Sequence, residues 1–367
     1  MAERPSRRVF LHIGAPKTGT TYLQDRLALN RSELSRHGVE YPLGLHSSQF
    51  RAALDLIDRP WGGLREQVRG EWESLVGRVR RCDGTVVVSH EILAGARPGQ
   101  IKQAMADFAD SEVHLVYSAR DLGRQIPAEW QEGIKHRRIR SFGKFVKQVQ
   151  AARRTKPTMW FWRVQGLPDV LGRWTGGLPP GHVHLVTVPR PGGPPDELWN
   201  RYCTAFGIDP AWAPLDGGRA NVSIGTAETT LLRKLNRRLK KAGVGSEDYR
   251  RLVRDVIVHE TLAAREPMIR TTLPPWAHPW AAEVAEEWIE WVEGSGIHVI
   301  GDVEDLRPVL PDQATEWDDP DRPKRVDMVD AALDALVAIT VEAASRPDPR
   351  VQITAKLGRA ARRLRGQ

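Results

Sequence analysis

A short glycine-bounded turn between an apolar run and a helical pattern constrains the fold more than any other feature of the sequence. Residues 9–13 (VFLHI) predict a buried strand, and residues 20–29 carry apolar side chains at helical spacing. The turn between them, GAPKTG, has glycine at both ends, at Gly14 and Gly19. A strand that passes through a tight turn directly into a helix is typical of α/β proteins.

Further strands and helices alternate along the chain. Apolar runs at 86–88, 113–117 and 183–188 predict strands. A long amphipathic stretch runs over about 64–81, and helical patterns lie at about 100–108 and up to about residue 135. This alternation predicts βαβ units, that is, a central parallel sheet flanked by helices. From about residue 226 onward the pattern is mostly helical, so the C-terminal portion is expected to be largely α.

The composition and a proline- and acid-rich segment predict the domain organisation. The 367 residues are 41% hydrophobic and include 13 tryptophans, enough to bury a large core. We predict an α/β domain over 1–307, a proline- and acid-rich linker over 308–325, and a helix with a basic tail over 326–367. Two cysteines, Cys82 and Cys203, exclude a disulfide scaffold and a cysteine-rich zinc site. With no signal peptide and no run of roughly 18 apolar residues, a cytoplasmic protein without a membrane span is expected.

The chain is basic, with a formal net charge of +8. Basic residues cluster at 136–140, at 233–241 and from 350 to the end. A solvated basic face is the favoured interpretation, and attraction of anionic ligands or polymers is the alternative. Aromatic residues seldom interleave these clusters, so no nucleic-acid partner is expected.

The turn has the chemistry of an anion site. A helix that begins directly after it directs unpaired N–H groups and the positive end of its dipole at the turn. Lys17 adds a charge, and the hydroxyl groups of Thr18, Thr20 and Thr21 add donors. The motif is not a Walker A loop, because Lys17 precedes Gly19 and no glycine stands in the required place ahead of it. We therefore predict a phosphate or sulfate site with the following members: Gly14, Pro16, Lys17, Thr18, Gly19, Thr20 and Thr21.

Two other predicted strands end at chemically useful residues. Ser89-His90-Glu91 follows the second strand, and Arg120 follows the third. Ligands of open parallel sheets bind beyond the carboxyl ends of the strands, near the point where strand order reverses. The turn, Glu91 with His90, and Arg120 are thus expected to lie along one rim.

These motifs resemble those of sulfotransferases that use 3′-phosphoadenosine-5′-phosphosulfate (PAPS), in particular bacterial members of the family. PKTGTTYLQ resembles the loop that binds the 5′-phosphosulfate, and RDLGRQIPAEWQEGIKH resembles the segment that binds the 3′-phosphate. The segments VHLVTVP, LWNRYCTAFGIDP and RANVSIG extend the similarity over roughly residues 8–305. The resemblance implies a P-loop NTPase-like sheet and transfer of a sulfuryl group to a hydroxyl or amine of an unidentified small-molecule or carbohydrate acceptor.

The resemblance also implies roles for individual residues. Lys17 and the turn amides would hold the 5′-phosphosulfate, Arg120 the 3′-phosphate, and Glu91 or His90 would be the base, with Glu91 favoured. The family usually has a serine eight residues after the arginine, where this chain has Ala128. Gln125, Gln131 and Lys135 lie on the same predicted helix, and Gln131 or Lys135 is expected to replace it. No divalent metal is required.

Two other functions stay open: a P-loop-type kinase acting on small molecules or nucleotides, and a non-catalytic binder of polyanions or nucleic acid. His182 and His184 share one face of a predicted strand, as metal ligands do, but no third ligand is evident, and no metal site is predicted. Trp160 and Trp162 are expected to pack under a loop in preference to lining an acceptor pocket.

Overall fold

A computed structural model of the chain describes residues 7–43, 46–61, 64–214, 223–310 and 316–346. Its centre is a sheet of six parallel strands in the order β2-β3-β1-β4-β5-β6. The strands are β1 (Arg8–His12), β2 (Val39–Glu40), β3 (Thr85–Ser89), β4 (Glu112–Ala119), β5 (Val183–Thr187) and β6 (His298–Ile300). The predicted α/β class with a parallel sheet flanked by helices is confirmed.

Fourteen α-helices belong to the described ranges. They are α1 (Thr20–Leu29), α2 (Arg31–Arg36), α3 (His46–Ile57), α4 (Glu71–Val79), α5 (Pro98–Asp107), α6 (Leu122–Lys135), α7 (Phe142–Thr155), α8 (Trp160–Gln165), α9 (Leu167–Trp174), α10 (Glu197–Phe206), α11 (Thr226–Lys241), α12 (Ser246–Asp248), α13 (His278–Ser295) and α14 (Arg325–Ala344). A π-helix at Tyr249–Thr261 follows α12 directly, and 3-10 turns include Arg65–Val68 and Glu91–Gly95.

The four strands predicted from apolar runs are present within one or two residues of their expected limits, and α1 spans the predicted range. β2 and β6 are only two and three residues long, too short for a periodic signal. The amphipathic stretch at 64–81 is not one helix. Gly70 has a φ of 82° and separates the 3-10 turn Arg65–Val68 from α4, because a left-handed residue ends helical hydrogen bonding.

One face of the sheet packs against α1 and α10. Phe10, Val116 and Val186 of β1, β4 and β5 are buried against Leu23 of α1 and Trp199 of α10. The cluster takes one side chain from each of these strands, and α1 adds Leu27 at helical spacing from Leu23. The packing fixes the start of α1 beyond the carboxyl end of β1.

Contacts divide the chain into two compact units. The first comprises the described residues within 1–132, 142–221 and 272–317, and it holds the whole sheet. The second comprises those within 133–141, 222–271 and 318–367. In the second unit, Arg265 pairs with Glu228 of α11 at 2.9 Å and with Asp334 of α14. This division differs from the domain boundaries predicted from the sequence, which placed 1–307 in one domain, because the described residues within 222–271 group with α14.

The C-terminal helix predicted within 326–367 is present as α14, and the described residues of 308–324 form no helix or strand beyond a turn at 320–321. The basic tail from residue 347 lies outside the described residues. Among the described helices, none combines the length and the apolar character that crossing a bilayer requires.

Candidate functional site

The turn after β1 has a backbone that only glycine adopts easily. Gly14 and Gly19 have φ values of 116° and 88°. A β-carbon on Gly14 would lie 3.0–3.2 Å from atoms of Glu91, and one on Gly19 would lie 2.5 Å from Leu198 Cδ2. Lys17 itself has a φ of 66°, which is uncommon outside glycine. The two glycines therefore permit both the bend and its close approach to the end of β3.

Hydrogen bonds from β4 hold the turn. Ala15 N–H donates to Ser118 O at 2.7 Å, and Ser118 N–H donates to Gly14 O at 2.5 Å. The buried Thr18 hydroxyl lies 2.6 Å from Ala15 O and 2.5 Å from Ser118 Oγ. The side chain of Thr18 therefore stabilises the turn from within and does not face outward, although the sequence placed its hydroxyl among the ligand donors.

Two glutamines fix the outer side of the turn. The Nε2 groups of Gln125 on α6 and Gln165 on α8 donate to Pro16 O at 2.6 and 2.9 Å. Gln165 Nε2 also lies 3.0 Å from Glu129 Oε1. Tyr202 of α10 donates its hydroxyl to Thr18 O at 3.3 Å. Because the carbonyl groups of Pro16 and Thr18 are engaged by these donors, the turn is rigid before any ligand arrives.

The start of α1 leaves donors for an anion. Gly19 is the N-cap residue and supplies no side-chain acceptor, and the first turn contains no acidic residue. The first N–H groups of a helix have no partner within the helix, so such a terminus attracts negative charge. Lys17 and Thr21 beside it are partly exposed, whereas Thr20 is buried.

Lys17 is paired with an acid on α6. Its Nζ lies 3.0 Å from Glu132 Oε2, and the two side chains are 35% and 29% exposed. Burial acts to lower the pKa of Lys17, but Glu132, Glu129 and Glu91 outweigh it and raise that pKa above the ordinary value. Lys17 is therefore a cation at neutral pH, and its charge is balanced locally by carboxylates.

Arg120 lies at the carboxyl end of β4 and, among the described residues, has no ion-pair partner of the kind that Lys17 has in Glu132. Its Nη1 makes a long contact of 3.4 Å with Lys17 O. Over the described ranges no carboxylate lies within ion-pair distance of it, and its buried Nε has no acceptor. Burial, with Arg124 nearby, lowers the pKa of Arg120 to about 10. A shielded guanidinium with an unused donor is suited to bind an anion.

His90 and Glu91 occupy the end of β3 and differ in availability. His90 is buried, and its Nδ1 accepts the Ile92 N–H at 3.3 Å, capping the 3-10 turn Glu91–Gly95. The side chain of Glu91 is 20% exposed, and its Oε2 accepts Gln24 Nε2 at 3.2 Å. The structure therefore gives His90 a capping role and leaves carboxylate surface of Glu91 at the rim.

A neutral polar network lies beneath the turn. His12 of β1 has Nδ1 2.7 Å from Ser89 Oγ and Nε2 3.3 Å from Ser118 Oγ. Burial lowers the pKa of His12 to about 3, so the ring is uncharged at neutral pH. His12, Ser118 and the acids of α6 were not predicted from the sequence. His12 and Ser118 could have been found by their position on strands that end at the rim. Glu129 and Glu132 could have been found by their spacing of three residues.

The sequence also singled out four residues of α6 and the tryptophan Trp162. Gln125, Ala128, Gln131 and Lys135 all lie on α6 as predicted. The side chain of Gln125 donates to Pro16 O of the turn. Which residue replaces the serine that the resembled family has at the position of Ala128 stays a prediction. Trp162 is buried and donates Nε1 to Val149 O at 2.7 Å, so its packing role is confirmed.

Comparisons of the chain with protein-family models, with curated proteins and with solved structures gave no match. The geometry and charges of the site itself therefore have to indicate the function. Its members come from the carboxyl ends of three adjacent strands, β3, β1 and β4. They provide an uncapped helix start, two cations and an accessible carboxylate.

Proposed function

We propose that the protein is a sulfotransferase that moves a sulfuryl group from PAPS to a hydroxyl or amine of a small-molecule or carbohydrate acceptor. The observation that carries the proposal is the arrangement of Lys17, the uncapped start of α1 and Arg120 along one edge of the sheet. Strand order places β1 between β3 and β4, so chain connections diverge to either side of the turn. Such a point is where open parallel sheets bind ligands.

The same proposal assigns the sheet to the P-loop NTPase-like class. Its support is the direct passage from β1 through a glycine turn into α1, together with the central position of β1 in an all-parallel sheet. The resemblance of PKTGTTYLQ to the family's phosphosulfate loop supports the same assignment.

The turn has the properties that a phosphosulfate group requires. PAPS supplies an activated sulfuryl group joined to a nucleotide that carries a 5′-phosphate and a 3′-phosphate. The Lys17 ammonium and the first N–H groups of α1 would bind the 5′ end and balance the negative charge that develops on the leaving oxygen. The hydrogen bonds to the carbonyl groups of Pro16 and Thr18 hold the backbone of the turn, so its N–H groups need little reorganisation during the reaction.

Arg120 would bind the 3′-phosphate. Its unused Nε donor and the absence of a carboxylate partner in the described chain mean that an arriving phosphate breaks no ion pair there. A guanidinium binds phosphate through two parallel hydrogen bonds, which fixes orientation as well as adding binding energy.

Glu91 would accept the proton that the acceptor loses. It adjoins the turn directly, since a β-carbon on Gly14 would lie 3.0 Å from the backbone oxygen of Glu91, and Gln24 orients its carboxylate through the contact at 3.2 Å. His90 would position Glu91, because its Nδ1 accepts the Ile92 N–H and so caps the 3-10 turn that begins at Glu91. A positioned base typically contributes about 10²–10⁴ in rate.

A calorimetric titration with 3′-phosphoadenosine-5′-phosphate (PAP) tests the proposal, with ATP and magnesium as the comparison ligand. We expect saturable binding of PAP that weakens at least tenfold in Lys17→Ala and in Arg120→Ala, since each loses a charge-assisted contact of roughly 1.5–3 kcal/mol. Lys144→Ala, an exposed lysine on α7, is the matched control and keeps wild-type affinity.

Three outcomes would overturn the proposal. Preference for ATP with magnesium would favour the kinase alternative. Heparin binding that is steeply salt-dependent and insensitive to Lys17, without PAP binding, would favour a polyanion binder. PAP binding that is unaffected by both substitutions would move the nucleotide away from the turn.

A further inference from the structure

A second group of polar side chains lies at the amino edge of the sheet, away from the turn. Glu112 and His114 belong to β4, and His182 immediately precedes β5. One carboxylate oxygen of Glu112 and one ring nitrogen of each histidine lie within 4.8 Å of one another. All three residues are partly exposed. The strand pair thus gathers ligand atoms of the kind that transition metals prefer.

Strand register explains why these residues meet. Leu115 of β4 pairs with Val183 of β5 in parallel register, so His114 and His182, one residue earlier on each strand, are neighbours. Glu112 lies two residues before His114 and therefore points to the same face of the sheet. The His114 and His182 rings stack with centroids 4.3 Å apart.

Further histidines orient His114. Its Nε2 lies 2.8 Å from Glu112 Oε1, and its Nδ1 lies 2.9 Å from Nε2 of the buried His184. His184 Nδ1 in turn lies 3.2 Å from His298 Nδ1 on β6. His114 also stacks on Phe10, with ring centroids 4.7 Å apart. Both ring nitrogens of His114 thus have partners, and Nε2 faces the Glu112 carboxylate.

We propose that Glu112, His114 and His182 form a binding site for a divalent transition metal, with zinc as the best fit. Two imidazoles and a carboxylate are a common three-residue zinc set that leaves a fourth position for water. Ligand atoms of a tetrahedral zinc site lie about 3.3 Å apart, given bonds of about 2.0–2.1 Å. His114 Nε2 and Glu112 Oε1 lie 2.8 Å apart, and the three ligand atoms all lie within 4.8 Å of one another, so side-chain rotations would bring them to this spacing.

The histidine relay accommodates the proton change that binding requires. Zinc binds to Nε2 of His114 only when the ring carries its one proton on Nδ1. From the other neutral tautomer, Nε2 loses its proton to solvent and Nδ1 takes one up from solvent, so the protons balance and the ring stays neutral. Nδ1 of His114 then carries a proton and donates to His184 Nε2, and His184 Nδ1–H donates to His298. This is the second-sphere hydrogen bond that metal-bound imidazoles ordinarily make. The site is independent of the sulfotransferase proposal.

Metal retention by the full-length chain, freed of any affinity tag, tests this inference. The protein is dialysed against micromolar zinc and then against metal-free buffer, and bound zinc is measured by mass spectrometry. We expect about one zinc per chain, falling to background in His182→Ala and Glu112→Gln. His37→Ala, an exposed histidine outside the cluster, is the matched control and keeps the metal. Circular dichroism melts confirm that each variant is folded.

A titration with cobalt(II) provides a second test of the same site. Titration of the apoprotein with cobalt(II) is expected to give the intense visible absorption of a four-coordinate ion, and His182→Ala is expected to abolish it. Loss of the relay in His184→Gln is expected to weaken zinc binding about 10- to 100-fold, the usual effect of removing such a partner. Absence of retained zinc in the wild type, or retention unchanged in folded His182→Ala and Glu112→Gln, would overturn the inference.

Discussion

The ion pair between Lys17 and Glu132 makes a distinctive prediction about ligand affinity. An anion at the turn must draw Lys17 away from Glu132, whose carboxylate lies 3.0 Å from it. Glu132→Gln preserves the size of the side chain and removes this competition. It is therefore expected to tighten PAP binding, although most substitutions in a binding site weaken it.

The structure sets the size of the effect. With side chains 35% and 29% exposed, the pair is in the range where ion pairs contribute about 0.2–1 kcal/mol. Breaking it on binding would therefore reduce PAP affinity by a factor of roughly 1.4–5. Repulsion between the Glu132 carboxylate and the ligand acts in the same direction, so the upper end of this range is expected at low ionic strength.

Calorimetric titration with PAP at low and high salt measures the effect. Glu132→Gln should bind PAP more tightly than wild type at low salt, and the gain should shrink in high salt because the charges are partly exposed. It should also shrink in the Lys17→Ala background, where no ion pair exists to break. Glu283→Gln, an exposed acid on α13, is the control. Weaker PAP binding by Glu132→Gln would refute the reasoning, because Lys17 would then not be released to the ligand.

Three further predictions follow from the site and the network beneath it. Lys17→Ala is expected to lower turnover of PAPS by about 10²–10³ with an unchanged thermal melt, as measured by PAP release. Glu91→Gln is expected to lower turnover by about 10²–10⁴ while PAP affinity stays within twofold. His90→Ala is expected to lower turnover by less. Equal losses of turnover would contradict the assignment of Glu91 as the base and His90 as a positioning residue. His12 has a pKa of about 3 when folded and about 6.5 when unfolded, so only the unfolded chain takes up this proton as pH falls. Its contribution to stability is therefore complete above pH 6.5 and declines by up to about 1.4 kcal/mol per pH unit down to pH 3, and denaturant melts should show a shallower decline in His12→Asn.

The sequence predicted the rim better than the chemistry around it. Local signals were sufficient for β1, the turn and α1, because apolar periodicity and glycine position are properties of adjacent residues. The common position of Glu91 and Arg120 followed from the general rule that parallel strands end at the same edge. β6 was missed because three residues carry no periodicity, and the 64–81 stretch was broken by the left-handed Gly70.

What the sequence could not provide was long-range register. Glu132 meets Lys17 across a separation of 115 residues, and this pairing depends on how α6 packs against the turn. His182 and His184 were recognised as a possible ligand pair, but the residues that group with His182 are Glu112 and His114 on β4, which become its neighbours only through the register of Leu115 with Val183. His184 contacts His114 instead. Both features depend on tertiary placement, which periodicity and spacing do not encode.

A crystal structure of the protein with PAP tests the central claim most directly. The account predicts the 5′-phosphate against the turn amides and Lys17 Nζ, the 3′-phosphate on Arg120, and Glu132 displaced from the lysine. A complex in which the nucleotide lies elsewhere, or in which Lys17 keeps its partner on α6 and Arg120 contacts no phosphate, would contradict it.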